Sequence, residues 1–309
     1  MIRPHLRSNV VGYLALFVAM SGTAVALPAT NAADAAAATG DLLQKPGAAG
    51  CLSVIGFCER GHALDGAQSI TVSPDGQSAY VVADNSDAVA VFDRAGDGTL
   101  IQKRGRAGCI SNTGAGRCRD GTALDAQAFD GASLSVAVSP DGKSAYVASR
   151  ISEAVAVFDR TSNGRLIQKP EPVGCISEDG AGPCIDGTAL DIANSVAVSP
   201  DGLSVYVTSR LSNAVAVFDR ATNGTLAQKP GTAGCIRDGA SGRRCVAGAA
   251  LAGASSVAVS PDGLSVYVTS DDSNAVAVFD REPNQRRRSR RRGSSAHPSL
   301  STLRSRPSH

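Results

Sequence analysis

Residues 195–220 read SVAVSPDGLSVYVTSRLSNAVAVFDR, and near-copies of this stretch recur along the chain. Each copy contains the same S-P-D-G turn. The prolines of these turns are spaced 66, 60 and 61 residues apart, at Pro74, Pro140, Pro200 and Pro261. A near-constant period of this length is typical of propellers and solenoids. The repeat therefore decides the fold.

Each copy predicts four short strands. Pro200-Asp201-Gly202 suits the turn after the first strand, because proline presets one central angle and Asp and Gly suit the positions that follow. Asn223-Gly224 is a strong hairpin signal after the third strand. An aromatic content of only 4%, with 33 glycines, agrees with many short strands and tight turns. We assign the strands to residues 195–199, 204–209, 213–220 and 225–229.

The third strand is apolar on both faces, since Val215 and Val217 alternate with Ala216 and Phe218. A β-sandwich would leave one face of each sheet polar, and that alternation is missing here. Sheets that are apolar on both faces must pack between two neighbours, as the blades of a propeller do. We therefore predict an all-β fold, a β-propeller of four-stranded antiparallel blades.

The array breaks off within its fourth copy. Three copies are complete, at residues 69–102, 135–168 and 195–228, whereas the fourth, 256–281, supplies only three strands. The segment GDLLQK at residues 40–45 matches an isolated fourth strand. Two arrangements fit this pattern. Either about four blades are present, with the fourth split between the two ends of the chain, or the chain is an open part of a larger propeller.

The amino-terminal residues 1–39 have the parts of a secretory signal peptide, followed by an Ala-rich linker. Arg3 and Arg7 precede an uncharged apolar run that ends in the small residues Ala24-Val25-Ala26. We predict cleavage, a secreted or cell-surface protein, and no membrane span in the mature chain. An uncleaved anchor is the alternative, because the apolar run is close to membrane-spanning length.

The cysteines fall as close pairs, one pair in each repeat at the same place. An exported protein meets an oxidising environment, and pairing within each repeat is the simplest connectivity. No C-x-x-C is present and His62 is the only histidine near a pair, so metal binding has little support. We predict four disulfides, Cys51–Cys58, Cys109–Cys118, Cys175–Cys184 and Cys235–Cys245.

Residues 282–309 form an Arg/Ser-rich tail with eight Arg and one Glu. Residues 1–39 add a charge of +1, so the repeat region 40–281 carries −6 within the net charge of +2. This balance gives no support for nucleic-acid binding by the folded domain. Three interpretations of the tail fit: a frameshift product of another blade, a solvated disordered tail, or a basic arm for an anionic partner.

The motifs VAVSPDG, YV and NAVAVFD, over residues 69–281, resemble the YVTN-type and lactonase-like β-propeller repeats of secreted bacterial proteins. The resemblance implies a propeller fold, commonly with seven blades. For the lactonase-like members it also implies hydrolysis of a sugar lactone by polar and charged residues of the channel.

Catalysis has little support from the residues themselves. His62 is the single histidine between residues 40 and 281, and the cysteines are predicted to be oxidised, so a Ser-His-Asp or Cys-His arrangement is hard to build. We predict a non-catalytic binding or surface-interaction module, with no catalytic residue and no cofactor, for an extracellular protein, polymer or small ligand. A lactonase-like hydrolase is the alternative.

By analogy with other propellers, the turns after the second strands and the Cys loops emerge on one face. Residues that vary at a fixed repeat position there are candidates for ligand contacts, although solvated loop tips are the alternative. One such position holds Asp84, Arg150, Arg210 and Asp271. The first Cys loop adds Glu59, Arg60 and His62.

A second candidate site lies before the first strand of each copy. Asp65, Asp125 and Asp191 occupy one position of an H/T-A-L-D motif, and the fourth copy has Ala252 there. Three carboxylates around a channel would suit a hard cation such as calcium. The alternative is that Asp is simply a good turn former.

Overall fold

The structure is a computed structural model that describes residues 40, 42–125, 135–239 and 244–282. The predicted signal peptide and linker, and the tail from residue 283 onward, lie outside the described residues. In the described part no helix is long and apolar enough to cross a membrane.

Two compact units divide the chain. Residues 1–44 form one unit, and its described residues, 40 and 42–44, contain no strand. Residues 45–309 form the other unit, which contains every strand described below.

The strands of the second unit form sheets that repeat with the sequence. A short pair, β1 (Leu52–Ser53) and β2 (Glu59–Arg60), precedes them. Blade 1 comprises β3 (Ala67–Val72), β4 (Ser78–Ala83), β5 (Ala88–Arg94), β6 (Leu100–Gln102), β7 (Cys109–Ser111) and β8 (Arg119–Asp120). Blade 2 comprises β9 (Ser135–Val138), β10 (Ser144–Ser149), β11 (Ala154–Arg160), β12 (Leu166–Gln168), β13 (Cys175–Glu178) and β14 (Ile185–Gly187). Blade 3 comprises β15 (Ala193–Val198), β16 (Ser204–Ser209), β17 (Ala214–Arg220), β18 (Leu226–Gln228), β19 (Cys235–Asp238) and β20 (Val246–Gly248). Blade 4 comprises β21 (Ala254–Val259), β22 (Ser265–Ser270) and β23 (Ala275–Asp280).

Short 3₁₀ turns connect some of these strands, at Gly47–Gly50, Gly105–Ala107, Ala115–Arg117 and Gly231–Gly234. The all-β propeller prediction is confirmed, since the first three strands of each blade form an antiparallel meander.

The outer edge of each complete blade differs from the sequence prediction. In blade 1, β5 pairs with β6 through Phe92–Arg94 and with β7 through Ala88–Ala90, so two short strands share the fourth position. β8 then pairs parallel to β7. The Cys loop is therefore part of the sheet, and its disulfide ties together the two outermost strands.

The four predicted disulfides are present, and the described residues contain no free cysteine.

Consecutive blades pack face to face across what we call a seam. The inner strands β3, β9, β15 and β21 lie next to one another in that order. Large side chains of one blade cover small ones of the next, because an alanine face leaves room for valine. At the first seam Tyr80, Val82, Val89 and Val91 pack against Ala145, Val147, Ala156 and Phe158.

Within the described residues, the array is open. β23 pairs only with β22, and residues 42–45 form no strand. The described residues thus do not complete blade 4 with a strand from the amino-terminal side. Of the two predicted arrangements, they support the open one.

Candidate functional site

The turns between the second and third strands define what we call the loop face, namely residues 84–87, 150–153, 210–213 and 271–274. The Cys loops meet these turns directly. The amide of Asn112 donates to the Asp87 carbonyl at 2.9 Å, and the amide of Glu178 donates to the Glu153 carbonyl at 2.8 Å. The hairpin tips and the Cys loops therefore lie together, as the sequence predicts.

The aspartates of the H/T-A-L-D motif stabilise the fold through hydrogen bonds of their main-chain amides. The amides of Asp65, Asp125 and Asp191 each donate to a serine hydroxyl of the hairpin in the blade that follows, at 3.0 to 3.1 Å. Ala252 makes the same bond at 3.0 Å, so the carboxylate is not needed for it.

The predicted acidic ring is not formed. No group of three or more His, Cys, Asp or Glu side chains that could hold a metal ion occurs in the part of the chain that the structure describes. The physical reason is that each aspartate is fixed to the hairpin of a different blade.

The position after the second strand does not form one uniform set. Asp84 is buried and its carboxylate lies against Gly66, where an added Cβ would be 1.6 Å from Asp84 Oδ1. Arg150 is buried, whereas Arg210 is half-buried and Asp271 is exposed. A common ligand contact by all four is therefore not supported.

Arg210 makes an ion pair with Asp272, 3.5 Å across the seam between blades 3 and 4. Asp272 is exposed and Arg210 is half-buried, and pairs this close to solvent contribute little to stability. The pair indicates a structural contact between neighbouring hairpins.

Glu59 and Arg60 lie in the separate β1–β2 pair, and of the three predicted residues His62 contacts the fourth strand of blade 1, through Gln102. Glu59 and Arg60 are exposed in β2. The His62 main chain is held by the Gln102 side chain, which accepts from its amide and donates to its carbonyl, both at 2.8 Å. Thr122 and Gln168 make the same pair of bonds in blade 2. The main chain of His62 thus has a structural role.

The inner strands of blades 1, 3 and 4 each begin with a β-bulge, and the bulged residue differs in each. Bulges often re-aim a side chain next to a functional site. Gln68 donates to the Asp84 carboxylate, and Ser255 donates to the Thr269 carbonyl. Asn194 is only 7% exposed, and its Oδ1 has no hydrogen-bond partner among the described residues.

Blade 3 also carries strain at this point. Ile192 adopts a left-handed backbone conformation, with φ of 56°, where blades 1 and 4 have Gly66 and Gly253. This conformation is unfavourable for a β-branched residue and concentrates at functional sites. The residues that lead into β15 therefore differ from their described counterparts in blades 1 and 4.

Next to them lies a group of interacting carboxyls that sequence reasoning missed. Burial raises the pKa of Glu153, and the charge of Asp191 and a hydrogen bond with that residue raise it further. Burial also raises the pKa of Glu178, with the charges of Asp179 and Asp191 acting in the same direction. Carboxyls perturbed in this way are candidates for proton transfer.

The geometry joins blades 2 and 3. Glu153 ends the hairpin turn of blade 2, and its amide donates to the Arg150 carbonyl at 3.2 Å. Asp191 precedes β15 of blade 3. Glu178 ends β13 and its Oε2 accepts a bond from the Leu190 amide at 2.6 Å. We call Glu153, Asp191 and Glu178 the carboxyl cluster.

The family comparison decides the class of protein. The model of the lactonase family with a seven-bladed β-propeller matches residues 60–183 and 195–295. The chain belongs to this family. The prediction of a non-catalytic binding module is therefore wrong, and its lactonase-like alternative is the better supported one.

Solved structures give further likenesses. A putative 6-phosphogluconolactonase from Bacteroides uniformis is 21% identical with a TM-score of 0.44, and covers 70% of this chain and 50% of its own. The periplasmic gluconolactonase of Pseudomonas aeruginosa is 23% identical with a TM-score of 0.48, and covers 71% of this chain and 50% of its own. The chain thus spans about half the length of these proteins. No curated protein matches the sequence.

Proposed function

We propose that the protein hydrolyses a sugar lactone at the loop face between blades 2 and 3, with Glu153 as the general base. Membership of the lactonase family supports the reaction class. The Glu153–Asp191 carboxyl pair carries the assignment of the site, because it combines a raised pKa with a position at the junction of two blades.

Lactone hydrolysis needs a group that removes a proton from the attacking water. The water oxygen bonds to the carbonyl carbon, the ring C–O bond breaks, and the ring oxygen leaves as a hydroxyl after taking up a proton. A general base works best when its pKa lies near the working pH, and the shift at Glu153 is in that direction. Asp191 can hold the proton next, since two carboxyls in contact titrate as a pair.

The charge of the site favours a neutral substrate. Glu178 and Asp179 add negative potential beside Glu153 and Asp191, and Arg244, which lies 3.9 Å from Asp179, offsets only part of it. A phosphorylated sugar lactone would meet like charge there, which costs binding energy. We therefore propose an unphosphorylated aldonolactone as the substrate class.

We also propose that the protein works outside the cytoplasm. Four disulfides support an oxidising compartment, and the basic, apolar and small-residue segments of residues 1–26 support export. Mass spectrometry of the protein from culture medium or periplasm would locate the new amino terminus. Recovery of the intact leader on cytoplasmic protein would contradict export.

Hydrolysis of glucono-1,5-lactone, followed by acid release above the spontaneous rate, tests the activity. Glu153→Gln should lower kcat by about a hundredfold or more, the usual contribution of a general base. Asp87→Asn is the matched control, because Asp87 occupies the same left-handed turn position in blade 1, with φ of 45° against 47° for Glu153. Equal activity of wild type and Glu153→Gln would overturn the assignment of the base. Absence of turnover by the wild type would overturn the proposed reaction.

A further inference from the structure

Each seam is closed by one arginine that reaches back to the preceding blade. Arg220, at the end of β17, donates from Nε to the Tyr146 hydroxyl at 2.6 Å and from Nη2 to Asp141 at 2.9 Å. It also donates to Ser144 Oγ at 3.2 Å. Arg160 and Arg281 make the same set of bonds at the other two seams.

The equivalent arginine of blade 1 lacks these partners. Arg94 is exposed, and among the described residues its one hydrogen bond runs to the Gly76 carbonyl at 3.3 Å. At this end of the array, the Arg94 guanidinium therefore makes none of the contacts that its counterparts make across a seam.

Blade 4 carries the acceptor groups that such an arginine binds at the other seams, and no arginine binds them among the described residues. Asp262 accepts from the Leu264 amide at 2.9 Å, and no arginine of the described chain reaches it. Tyr267 is 40% exposed, whereas Tyr146 is fully buried. Val276 and Val278 beside it are 58% and 65% exposed. In the part of the chain that the structure describes, no residue covers this apolar face of blade 4, the face on which a further blade would pack.

Among the described residues, which end at 282, blade 4 also has no outer strand. A groove of about 400 Å³ lies between blades 3 and 4, lined in part by Val215, Val217 and Phe279. Asp280 at its rim is the counterpart of Asp159, which binds Lys169 of the fourth strand at 2.6 Å in blade 2. The apolar side chains of the groove and the carboxylate of Asp280 suit a strand with the pattern Leu-x-Gln-Lys.

The chain carries such a segment before blade 1. Leu42-Leu43-Gln44-Lys45 repeats the pattern of β12 and its lysine, and Leu42 is 98% exposed, whereas Leu166 at the same position is 1% exposed. The Cys51–Cys58 pair then links β1 to β2, as the other pairs link the two outermost strands of a blade. These are the outer elements of a blade whose inner strands are absent from the described chain.

The face of blade 1 that points away from blade 2 has the apolar side chains that line a seam elsewhere. Leu52, Ala63 and Leu64 pack on its buried cluster of small side chains and Phe92. Ile110, Ala123 and Leu124 lie in the same way at the seam between blades 1 and 2. No described residue takes the place that Tyr80, Val82, Val89 and Val91 fill at that seam.

We propose that two copies of this chain associate head to tail, with residues 42–60 of one copy completing blade 4 of the other. Arg94 then binds Asp262 and Tyr267 of the second copy, and Lys45 binds its Asp280. Arg94 thereby gains the carboxylate and hydroxyl partners that the other seam arginines have, and Lys45 exchanges its exposed ion pair with Asp97, at 3.3 Å, for Asp280 of the second copy. Two such contacts related by a two-fold axis close a ring of eight blades, within the range of propellers.

Sedimentation velocity of the exported full-length protein, over a wide concentration range, tests this proposal without reference to activity. We expect dimers. Lys45→Asp and Asp280→Lys should each weaken the dimer at least about tenfold, and the double variant should restore it, because the charges are exchanged. Lys143→Asp, an exposed lysine on blade 2, is the control and should leave the dimer unchanged.

Arg94→Ala provides a second test that keeps the fold of the separate copies. It should weaken the dimer, with an unchanged far-UV circular dichroism spectrum. A monomer at every concentration would overturn the proposal. So would a dimer that is indifferent to Arg94, Lys45 and Asp280, or single variants that the double variant does not rescue.

Discussion

Arg160 of blade 2 donates a hydrogen bond of 2.7 Å from Nε to the hydroxyl of Tyr80 in blade 1. Burial raises the pKa of Tyr80, so the hydroxyl stays protonated and donates in turn to the Gly164 carbonyl at 2.7 Å. The Arg160 guanidinium also reaches both oxygens of Asp75, at 2.8 and 3.0 Å. A relay of charge-assisted bonds therefore holds two consecutive blades together, and charged hydrogen bonds are the strong ones.

Arg160→Ala should lower the free energy of unfolding by about 2 to 4 kcal/mol, because it removes charged bonds and leaves buried groups without partners. Arg94→Ala is the matched control at the same repeat position, and should change stability little, since Arg94 is exposed. Urea unfolding at a concentration where copies are separate would compare them. Equal losses for the two variants would show that the relay does not stabilise the seam.

The pH dependence of lactone hydrolysis should report the carboxyl cluster. The base must be ionised, so activity should fall as the pH drops through the raised pKa of Glu153. Asp191→Asn removes the neighbouring charge, and should move the acid limb of kcat/KM to lower pH. Asp125→Asn, the same motif position one blade earlier, should leave the acid limb where it is. A limb that is unchanged in Asp191→Asn would separate Glu153 from the reaction.

The fold could be predicted because the repeat itself encodes it. The S-P-D-G turns and the valine–alanine alternation gave the strands, and the regular cysteine spacing gave the disulfides. Tyr80, Tyr146 and Tyr206 lie between consecutive blades. The split outer strand was missed, because Cys109–Ser111 looks like a loop until its partner β5 is known.

The candidate site could not be predicted for a different reason. Arg160 contacts residues about eighty positions earlier, and at the end of an F-D-R motif it resembles a solvated strand terminus. Glu153 shares its repeat position with Asp87, Asn213 and Asn274, and all four have a left-handed backbone. From the sequence, a polar residue at this position is explained by the turn alone. Only the packing of blade 2 on blade 3 brings it to Asp191. His62, by contrast, was selected by residue type, whereas the fold uses its main chain.

The disulfides within the sheets should stabilise more than the one outside them. Replacing Cys175 and Cys184 by Ala should cost about 2.5 kcal/mol, the chain-entropy contribution of a loop of about ten residues. Replacing Cys51 and Cys58 should leave the unfolding of blades 1 to 3 unchanged in separate copies, because that pair links only β1 and β2. Thermal melting would compare the two double variants. Similar losses of stability in the two double variants would contradict the idea that a disulfide stabilises more when it joins strands of a sheet, as Cys175–Cys184 does for β13 and β14.

Gly164 and Gly98 offer a test of how closely blades approach. Both have a left-handed backbone, with φ of 77° and 86°, so alanine is strained by about 1 kcal/mol at either position. The difference lies in their surroundings. A Cβ at Gly164 would lie 2.0 Å from Ser78 Oγ in the preceding blade, whereas at Gly98 the nearest atom is 3.6 Å away.

Gly164→Ala should therefore destabilise the protein by about 2 kcal/mol more than Gly98→Ala, because the added methyl pushes blade 2 away from Tyr80 and Ser78. Gly224→Ala should behave like Gly164→Ala, since its Cβ would lie 2.0 Å from Ser144 Oγ at the next seam. Urea unfolding of the three variants provides the comparison. If the three alanine variants lose the same free energy of unfolding, backbone strain alone explains the losses. The close approach of the glycine to the preceding blade then does not determine how the two blades pack.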